Sequence, residues 1–254
     1  MALRFASLGS GSRGNATLVA SPLGLVMIDC GFTIKETVRR LKLLGHSPED
    51  LDAILVTHEH GDHIGGVGPL ARRYNIPVYL THGTAQHKGV AKLPTRELID
   101  IHEVFGIADI EITPVVVPHD AREPCQFVLR CDKKSLGILT DLGSITPFVI
   151  ERYQHCDALM LECNHDVRML SMGPYPPSLK HRVGGQWGHL NNQQAANFLD
   201  AIDHSRLQHL VISHISEQNN TQQLAWQAIA DVYGREQNML LANQNEGFGW
   251  LAIA

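Results

Sequence analysis

A ten-residue segment in the first quarter of the chain is crowded with groups that bind metal ions. In THEHGDHIGG, which begins at Thr57, three histidines, a glutamate and an aspartate fall within six positions, 58 to 63. Imidazole and carboxylate groups are ligands that suit zinc, manganese or iron. A polar surface loop with histidines by chance is the alternative, but the density of the cluster and its place after an apolar segment argue against it. We therefore predict a site for divalent cations here.

The apolar segment AILVT, residues 53–57, predicts a buried strand that ends at this loop. Alternate residues of an extended segment lie on the same side, so His58 and His60 are expected to point together. A turn at Gly61 then brings Asp62 and His63 towards a second centre. The motif by itself therefore predicts two neighbouring cation sites.

Three later segments place one more polar residue at the end of an apolar strand. VVVPHD supplies His119, GILTDLG supplies Asp141 and LVISHIS supplies His214. Each residue alone is weak evidence, because such positions are often caps or surface residues. Together they repeat one geometry, a strand that delivers a ligand to a common rim. A carboxylate such as Asp141 can bridge two cations, which a neutral histidine cannot.

The segment GSGSRG, residues 9–14, raises a different possibility. It matches G-x-G-x-x-G after a strand, and Asp29 follows about 20 residues later, as in dinucleotide-binding folds. Such a site requires a helix after the third glycine, whereas ATLVA at 16–20 is typical of a strand. We therefore reject the NAD site and predict a tight turn between two strands, with glycines at positive φ.

The remaining pattern predicts strands and helices in alternation. Strands are expected at 3–7, 16–20, 25–29, 77–80, 110–117, 126–130, 135–140, 158–162 and 209–215, with a β region at 239–253, and helices at 34–44, 65–74, 192–202 and 221–233. This suits a two-layered sheet core with helices outside, built as one domain over residues 1–254. The Pro- and Gly-rich segment 172–188 is the least regular and is expected to be a surface excursion over a site.

Composition limits the function classes. The net charge of −5 argues against a chain that is basic overall, as many nucleic-acid-binding domains are, although a local basic patch stays open. No apolar run approaches the roughly 18 residues of a membrane span, so no membrane partner is expected. The N-terminal residues do not resemble a signal peptide, and the five cysteines form no C-x-x-C pair. Reduced thiols and a cytoplasmic location are therefore expected.

The H-x-H-x-D-H motif, followed by His, Asp and His at later strand ends, resembles the metallo-β-lactamase superfamily. SLGSGSRGN, LVTHEHGDHIGG, LTDLG, LECNHDVRML and GHLNNQQAA more narrowly resemble the YycJ (WalJ) family of hydrolases, over nearly the whole chain. The resemblance implies an α/β (α+β) fold, the four-layer αββα metallo-β-lactamase sandwich, with a dinuclear centre at one edge.

The resemblance also implies a ligand set. The first of two divalent cations, zinc or manganese with iron as a further option, would be bound by His58, His60 and His119. The second would be bound by Asp62, His63 and His214, with Asp141 as the bridge. Asp29, at the end of LVMID, would be a carboxylate behind the ligands that orients the histidine loop.

Two further segments resemble those of tRNase Z-type enzymes. GHLNNQQAA corresponds to a segment whose histidine, here His189, helps the leaving group to depart, and LMLECNHD to a strand whose Glu162 would partner it. His189 and Glu162 together would act as a general acid. Asp62, one of the expected metal ligands, is also predicted to be catalytic. A purely structural hydrogen bond is the alternative. Asn191 stands where GHLSN has serine, which puts any role of that hydroxyl in doubt.

The function that the resemblance implies is phosphodiester hydrolysis, with DNA as the partner and substrate of a 5′-to-3′ exonuclease. A hydroxide bridging the two cations would attack phosphorus, and His189 would protonate the leaving group. The alternatives are a small-molecule, cyclic phosphodiesterase, a thioesterase or β-lactamase, and a metal-bearing scaffold without activity. Candidate substrate contacts are Ser12, Arg13, Asn15, Asn164, His165, Lys180, Arg182 and Asn191.

Overall fold

Two seven-stranded sheets form the centre of the structure, a computed structural model that describes residues 3–254. The strands in chain order are β1 (Leu3–Gly9), β2 (Ala16–Ala20), β3 (Leu25–Ile28), β4 (Ala53–Leu55), β5 (Val78–Leu80), β6 (Arg96–Leu98), β7 (Phe105–Ile107), β8 (Ile110–Val116), β9 (Cys125–Cys131), β10 (Lys134–Leu139), β11 (Ala158–Glu162), β12 (His209–Ser213), β13 (Met239–Leu241) and β14 (Phe248–Ile253). The helices are α1 (Ile34–Leu43), α2 (Gly61–Ile64), α3 (Val67–Tyr74), α4 (Pro147–Arg152), α5 (Val167–Met172), α6 (Pro177–Val183), α7 (Asn192–Ala201) and α8 (Gln222–Tyr233).

Each sheet combines an antiparallel part with a parallel part. The first runs in the order β14-β1-β2-β3-β4-β5-β6 and is parallel from β3 to β6. The second runs β13-β12-β11-β10-β9-β8-β7 and is parallel from β10 to β13. Parallel neighbours end at the same edge of a sheet, and this is where open α/β sheets bind their ligands.

Three apolar clusters separate four layers. The cluster between the two sheets includes Phe5 and Phe127. A second packs the outer face of the first sheet against α1 and α3, through residues such as Leu41. A third packs the other sheet against α4, α7 and α8, with Phe198 and Ile229 among its members. The predicted αββα sandwich is therefore confirmed, while one domain over residues 1–254 stays a prediction.

The glycine segment at 9–14 forms a turn, as predicted. β1 and β2 pair as an antiparallel hairpin, and no helix follows Gly14. Gly11 has φ of 142° and Gly14 of 145°, a region that L-residues rarely occupy. A side chain at Gly14 would also meet the ring of Phe32 at 2.7 Å. The segment therefore needs glycine for its backbone path.

The structure differs from the predicted elements in several short segments. The segment 172–188 is not irregular throughout, because it contains α6, which has Pro177 in its first turn, where a missing N–H is tolerated. The helix predicted at 65–74 is present as α3, which begins two residues later, and the short helix α2, Gly61–Ile64, precedes it without having been predicted. The short elements β6, β7, α4 and α5 were not predicted, since segments of three to six residues carry little periodicity.

No helix within residues 3–254 combines the length and the apolar character needed to cross a membrane. The five cysteines are buried and free, without disulfides.

Candidate metal centre

Three of the predicted site residues end a strand with an unusual backbone conformation. Asp29 follows β3 with φ of 60°, Asp141 follows β10 with φ of 54°, and His214 follows β12 with φ of 52°. The left-handed region costs about 1–3 kcal/mol for a residue with a side chain, and it persists where the surrounding structure enforces it. Such positions cluster at functional sites, and here each one turns the chain at the shared edge of the sheets.

The first predicted ligand group is assembled. His58, His60 and His119 place their ring nitrogens within 4.8 Å of one another. Nδ1 of His60 lies 3.1 Å from Nε2 of His119. Nδ1 of His119 donates to the carbonyl of Gly188 at 3.0 Å, which leaves its Nε2 lone pair directed at the centre. Glu59 lies outside the group, with its carboxylate accepting from the N–H of Arg122.

The second predicted group is assembled beside the first. Asp62, His63 and His214 again lie within 4.8 Å, and Oδ2 of Asp62 is 3.5 Å from Nε2 of His63 and 3.7 Å from Nε2 of His214. Asp141 stands between the groups, because it also clusters with His58 and His63. Its Oδ2 lies 3.2 Å from Nε2 of His63. Asp141 therefore contacts residues of both ligand groups.

Asp29 orients two of the histidines from behind. Its Oδ2 accepts from Nδ1 of His63 and from the hydroxyl of Thr57, both at 2.8 Å. The same hydroxyl accepts from Nδ1 of His58 at 2.9 Å. With Nδ1 protonated on both rings, Nε2 of each is free to bind a cation. The role of Thr57 was not predicted; its only signal is its place directly before His58.

Several buried polar atoms at this centre lack a partner. Nε2 of His58, Oδ2 of Asp141 and Nε2 of His214 make no hydrogen bond with any residue of 3–254. Buried polar atoms without partners are rare in native proteins and call for a missing group. A mixed set of imidazole and carboxylate donors is the chemistry that zinc, manganese and iron prefer. The residues therefore fit divalent cations.

The charges of the buried groups also favour a bound cation at this centre. Burial lowers the pKa of His214, but the carboxylates around it, Asp141 foremost, outweigh burial and raise this pKa to about 10. Burial also lowers the pKa of His63, but the negative charges of Asp141 and Asp29 outweigh it and raise this pKa well above its usual value. The carboxylates therefore favour positive charge at this position, which a bound cation supplies in place of the protons.

Glu162 serves two histidines at once. The residue ends β11, is 0% exposed, and its Oε1 accepts from Nδ1 of His189 at 2.8 Å and from Nδ1 of His214 at 2.9 Å. Its Oε2 accepts from the backbone N–H groups of Leu190 at 3.0 Å and Leu142 at 3.3 Å. The predicted contact with His189 is present. The contact with His214 was not predicted, since 52 residues separate the two.

His189 faces an open cleft with a volume of about 390 Å³. The walls of this cleft, the metal cleft, consist of Ser12, His60, Gly61, Asp62, Asp120, Asp141, Tyr175, Leu179, Arg182, Val183, Gly188, His189 and His214. Burial lowers the pKa of His189, but Glu162 outweighs it and raises that pKa. Burial raises the pKa of Glu162, but His189 outweighs it and lowers that pKa to about 2. Both shifts favour a protonated imidazole on His189 beside an ionised carboxylate on Glu162.

The predicted substrate contacts divide into those inside the cleft and those elsewhere. Ser12 and Arg182 line it. Asn15 is buried behind the metal motif, where its amide nitrogen lies 3.3 Å from Oδ2 of Asp62. Asn164 donates to the backbone carbonyl of His214 at 3.1 Å. These two asparagines hold the site together and do not form its wall.

Three of the other predicted contacts have structural partners outside the cleft, and the fourth, His165, is buried. Arg13 is paired with Glu217 at 2.6 Å on the surface. Lys180 donates to the carbonyl of Ser171 at 2.7 Å. Asn191 caps α7 by accepting from the N–H of Gln194. His165 is buried, and its Nδ1 makes no hydrogen bond within the described chain.

The segment 172–188 lies over the site, as predicted. Tyr175, Leu179, Val183 and Gly188 belong to the cleft wall together with Arg182. Asp120 also lines the cleft and was not predicted, although it directly follows His119 in the sequence.

Comparisons with known proteins agree with this architecture. A model of the beta-lactamase superfamily domain matches residues 25–215. The chain is 34% identical over 236 residues to exodeoxyribonuclease YycJ of Bacillus anthracis, which covers 91% of this chain and 89% of the relative. It is 33% identical over 228 residues to exodeoxyribonuclease WalJ of Streptococcus pneumoniae, which covers 87% of this chain and 85% of the relative.

A solved structure gives the same result for the fold. The metallo-beta-lactamase fold protein YhfI of Bacillus subtilis matches with a TM-score of 0.75 and 17% identity, covering 99% of this chain and 100% of that one. At this identity the likeness concerns the fold alone. The identity to YycJ and WalJ extends over nearly the whole chain, and the matched domain includes the metal motif. The chain therefore belongs to the metallo-β-lactamase superfamily, in the family of YycJ and WalJ.

Proposed function

We propose that this protein is a DNA exonuclease that degrades strands from the 5′ end and uses two divalent cations. As a member of its family the chain is a metal-dependent hydrolase of phosphodiester bonds. DNA as substrate is supported by the names of both relatives, exodeoxyribonuclease YycJ and WalJ. The free cysteines support a cytoplasmic location, where thiols stay reduced.

One observation carries the proposal. The two ligand groups that meet at Asp141 share a cleft with His189, whose Nδ1 is fixed by Glu162. Hydrolysis of a phosphodiester needs stabilisation of negative charge at phosphorus and a proton for the departing oxygen. The ligand groups would supply the first once they hold cations, and His189 would supply the second.

The chain's own residues have separate tasks. Divalent cations bound here supply Lewis-acid stabilisation of the phosphate and make a water molecule more acidic. His58, His60 and His119 would hold one cation, and Asp62, His63, His214 and the shared Asp141 the other. His189 donates a proton from Nε2 to the leaving oxygen while its Nδ1–H stays bonded to Glu162. The nitrogen and oxygen donors of this set suit zinc or manganese, with iron as a further option.

The test is an assay of metal-reconstituted protein on three DNAs in parallel: linear 5′-phosphorylated, linear 5′-hydroxyl and covalently closed circular. We expect release of mononucleotides from the 5′ ends of linear DNA and no cut in the circle. Cleavage of the circle would redirect the proposal to an endonuclease. Turnover of cyclic nucleotides with none of DNA would replace it with a small-molecule phosphodiesterase.

A further inference from the structure

An ion pair crosses the mouth of the metal cleft. It joins Asp120, in the loop after β8, to Arg182 on α6, through Nε of the guanidinium and Oδ2 of the carboxylate. The two residues are 62 positions apart, and both line the cleft. The pair therefore ties the segment over the site to the rim that carries His119.

The pair leaves most of the guanidinium unused. Nε of Arg182 bonds to Asp120, while its two terminal nitrogens have no hydrogen-bond partner among residues 3–254. The side chain of Arg182 is 56% exposed, so these nitrogens are open to a ligand. A guanidinium has a planar fork of donors that matches two oxygens of one phosphate. Because Asp120 fixes one edge of the plane, the fork is held in one orientation.

Asp120 also reaches the first ligand group. Its Oδ1 lies 3.6 Å from Nε2 of His60, the nitrogen on the far side of the ring from Nδ1, which faces His119. The carboxylate of Asp120 thus lies between His60, a predicted metal ligand, and the positively charged guanidinium of Arg182, which lines the cleft. An ordinary surface ion pair would contribute little, but both members of this pair line the cleft that contains the candidate metal centre.

The charge of the cleft gives Arg182 its importance. The lining residues include the carboxylates Asp62, Asp120 and Asp141, and Arg182 is the one Arg or Lys among them. Divalent cations at the centre would neutralise the carboxylates that bind them and attract the scissile phosphate. Any further phosphate of the strand that enters the cleft has Arg182 as its fixed positive partner.

We propose that Arg182, positioned by Asp120, forms a second phosphate subsite that binds a phosphate next to the scissile one. The inference rests on the proposed function, because it assumes a substrate with more than one phosphate. It makes single-stranded DNA ends a better substrate class than small diesters that carry the scissile phosphate alone.

The first arm of the test measures binding without turnover. The His189→Ala protein, in which turnover is suppressed, and the same protein with Arg182→Gln or Arg168→Gln added are loaded with metal and bind a 3′-fluorescein-labelled oligothymidylate, with anisotropy recorded over a range of salt concentrations. We expect Arg182→Gln to weaken binding roughly ten- to a hundredfold and to reduce the slope of log K against log salt by about 0.7, the value for one phosphate contact on a single strand. Arg168, an exposed arginine on α5 outside the cleft, is the matched control and should leave both unchanged.

The second arm compares two substrates of the metal-loaded enzyme. On oligothymidylate, Arg182→Gln should lower kcat/KM by about tenfold or more, mainly through KM, with partial recovery in Arg182→Lys. On thymidine 5′-(4-nitrophenyl phosphate), which has only the scissile phosphate, the same variant should match wild type. Asp120→Asn should reproduce the KM effect on DNA with its metal content retained, as expected of a positioning residue.

The outcomes separate the inference from the function on which it rests. Equal losses on both substrates would place Arg182 at the scissile phosphate and overturn the subsite, as would an unchanged salt slope. Loss of metal from Asp120→Asn would make that residue a ligand and overturn its positioning role. If wild type cleaved the nitrophenyl ester but neither bound nor cleaved DNA, both the exonuclease function and the subsite would fall.

Discussion

Replacing Glu162 by glutamine tests the most connected residue of the site. The carboxylate accepts four hydrogen bonds, from two imidazoles on one oxygen and two backbone N–H groups on the other. An amide has one accepting oxygen and one donating nitrogen. In either orientation of Glu162→Gln, two donors of the protein therefore face the new NH2 group.

The size of the effect depends on which pair of hydrogen bonds is lost, the pair from the backbone N–H groups or the pair from the imidazoles. If the NH2 faces Leu142 and Leu190, two buried N–H groups lose their acceptor at about 1–3 kcal/mol each, so the free energy of unfolding falls by about 2–6 kcal/mol. If it faces the imidazoles, His214 must change tautomer, which places a proton on the Nε2 expected to bind the cation. Loss of such an orienting partner typically weakens metal binding 10- to 100-fold. His189 also loses the carboxylate that raises its pKa.

The assay compares Glu162→Gln with His189→Ala. Cation affinity is measured by competition with a chromophoric chelator, and turnover on DNA and on thymidine 5′-(4-nitrophenyl phosphate). His189→Ala should retain cation affinity and lose about 10²–10⁴-fold in kcat on DNA, the usual contribution of a general acid. On the nitrophenyl ester, whose leaving group departs without a proton, its loss should be less than tenfold. Glu162→Gln should show the catalytic defect together with either weaker cation binding or a lower free energy of unfolding, according to the orientation of the amide.

Two results would refute this reasoning. Unchanged cation affinity in Glu162→Gln together with an unchanged free energy of unfolding would mean that the contact with His214 does not orient a ligand. Equal losses of His189→Ala on the two substrates would mean that His189 does not protonate the leaving group, and would return the His189–Glu162 contact to a structural role.

Three further predictions concern the metal centre. Asp141→Ala should lower the bound cations from two and abolish DNA cleavage, measured by metal analysis and turnover; a fully metallated, active variant would contradict the bridge. Asp29→Asn should weaken cation binding 10- to 100-fold, because Nδ1 of His63 loses its carboxylate, with chelator competition as the measurement. His214, with its pKa raised to about 10, is protonated at neutral pH without metal, so cation binding should release protons and tighten as pH rises, which calorimetry in buffers of different ionisation enthalpy detects.

The predicted ligand set depends on local information. His58 to His63 lie within one loop, and His119, Asp141 and His214 each follow an apolar strand, so their place at a sheet edge follows from the strand that precedes them. Asp141 and His214 follow strands of the parallel part, whose ends meet at one edge. His119 follows β8, which is antiparallel to β9 and therefore runs in the same direction as β10. The turn at Gly9 to Gly14 is equally local, since the absence of a helical stripe after it excludes a nucleotide-binding helix.

The short elements and the cleft wall were less predictable. A three-residue strand such as β6 and a helix that starts at Pro177 carry too few residues for a period to be read. The resemblance supplied Glu162 as the partner of His189, but not its second bond to His214.

The pattern of strands and loops predicted a two-layered sheet core and a site for divalent cations, because these depend on spacing within single strands and loops. The family resemblance added the αββα sandwich, the division of the ligands between two cations and phosphodiester hydrolysis. The contacts of Glu162 with two histidines, of Asn15 with Asp62, and of Asp120 with Arg182 became visible in the three-dimensional structure. The contacting residues are 47 positions apart for Asn15 and Asp62, 52 for Glu162 and His214, and 62 for Asp120 and Arg182. Side chains that far apart meet through the packing of whole layers, which no local pattern encodes.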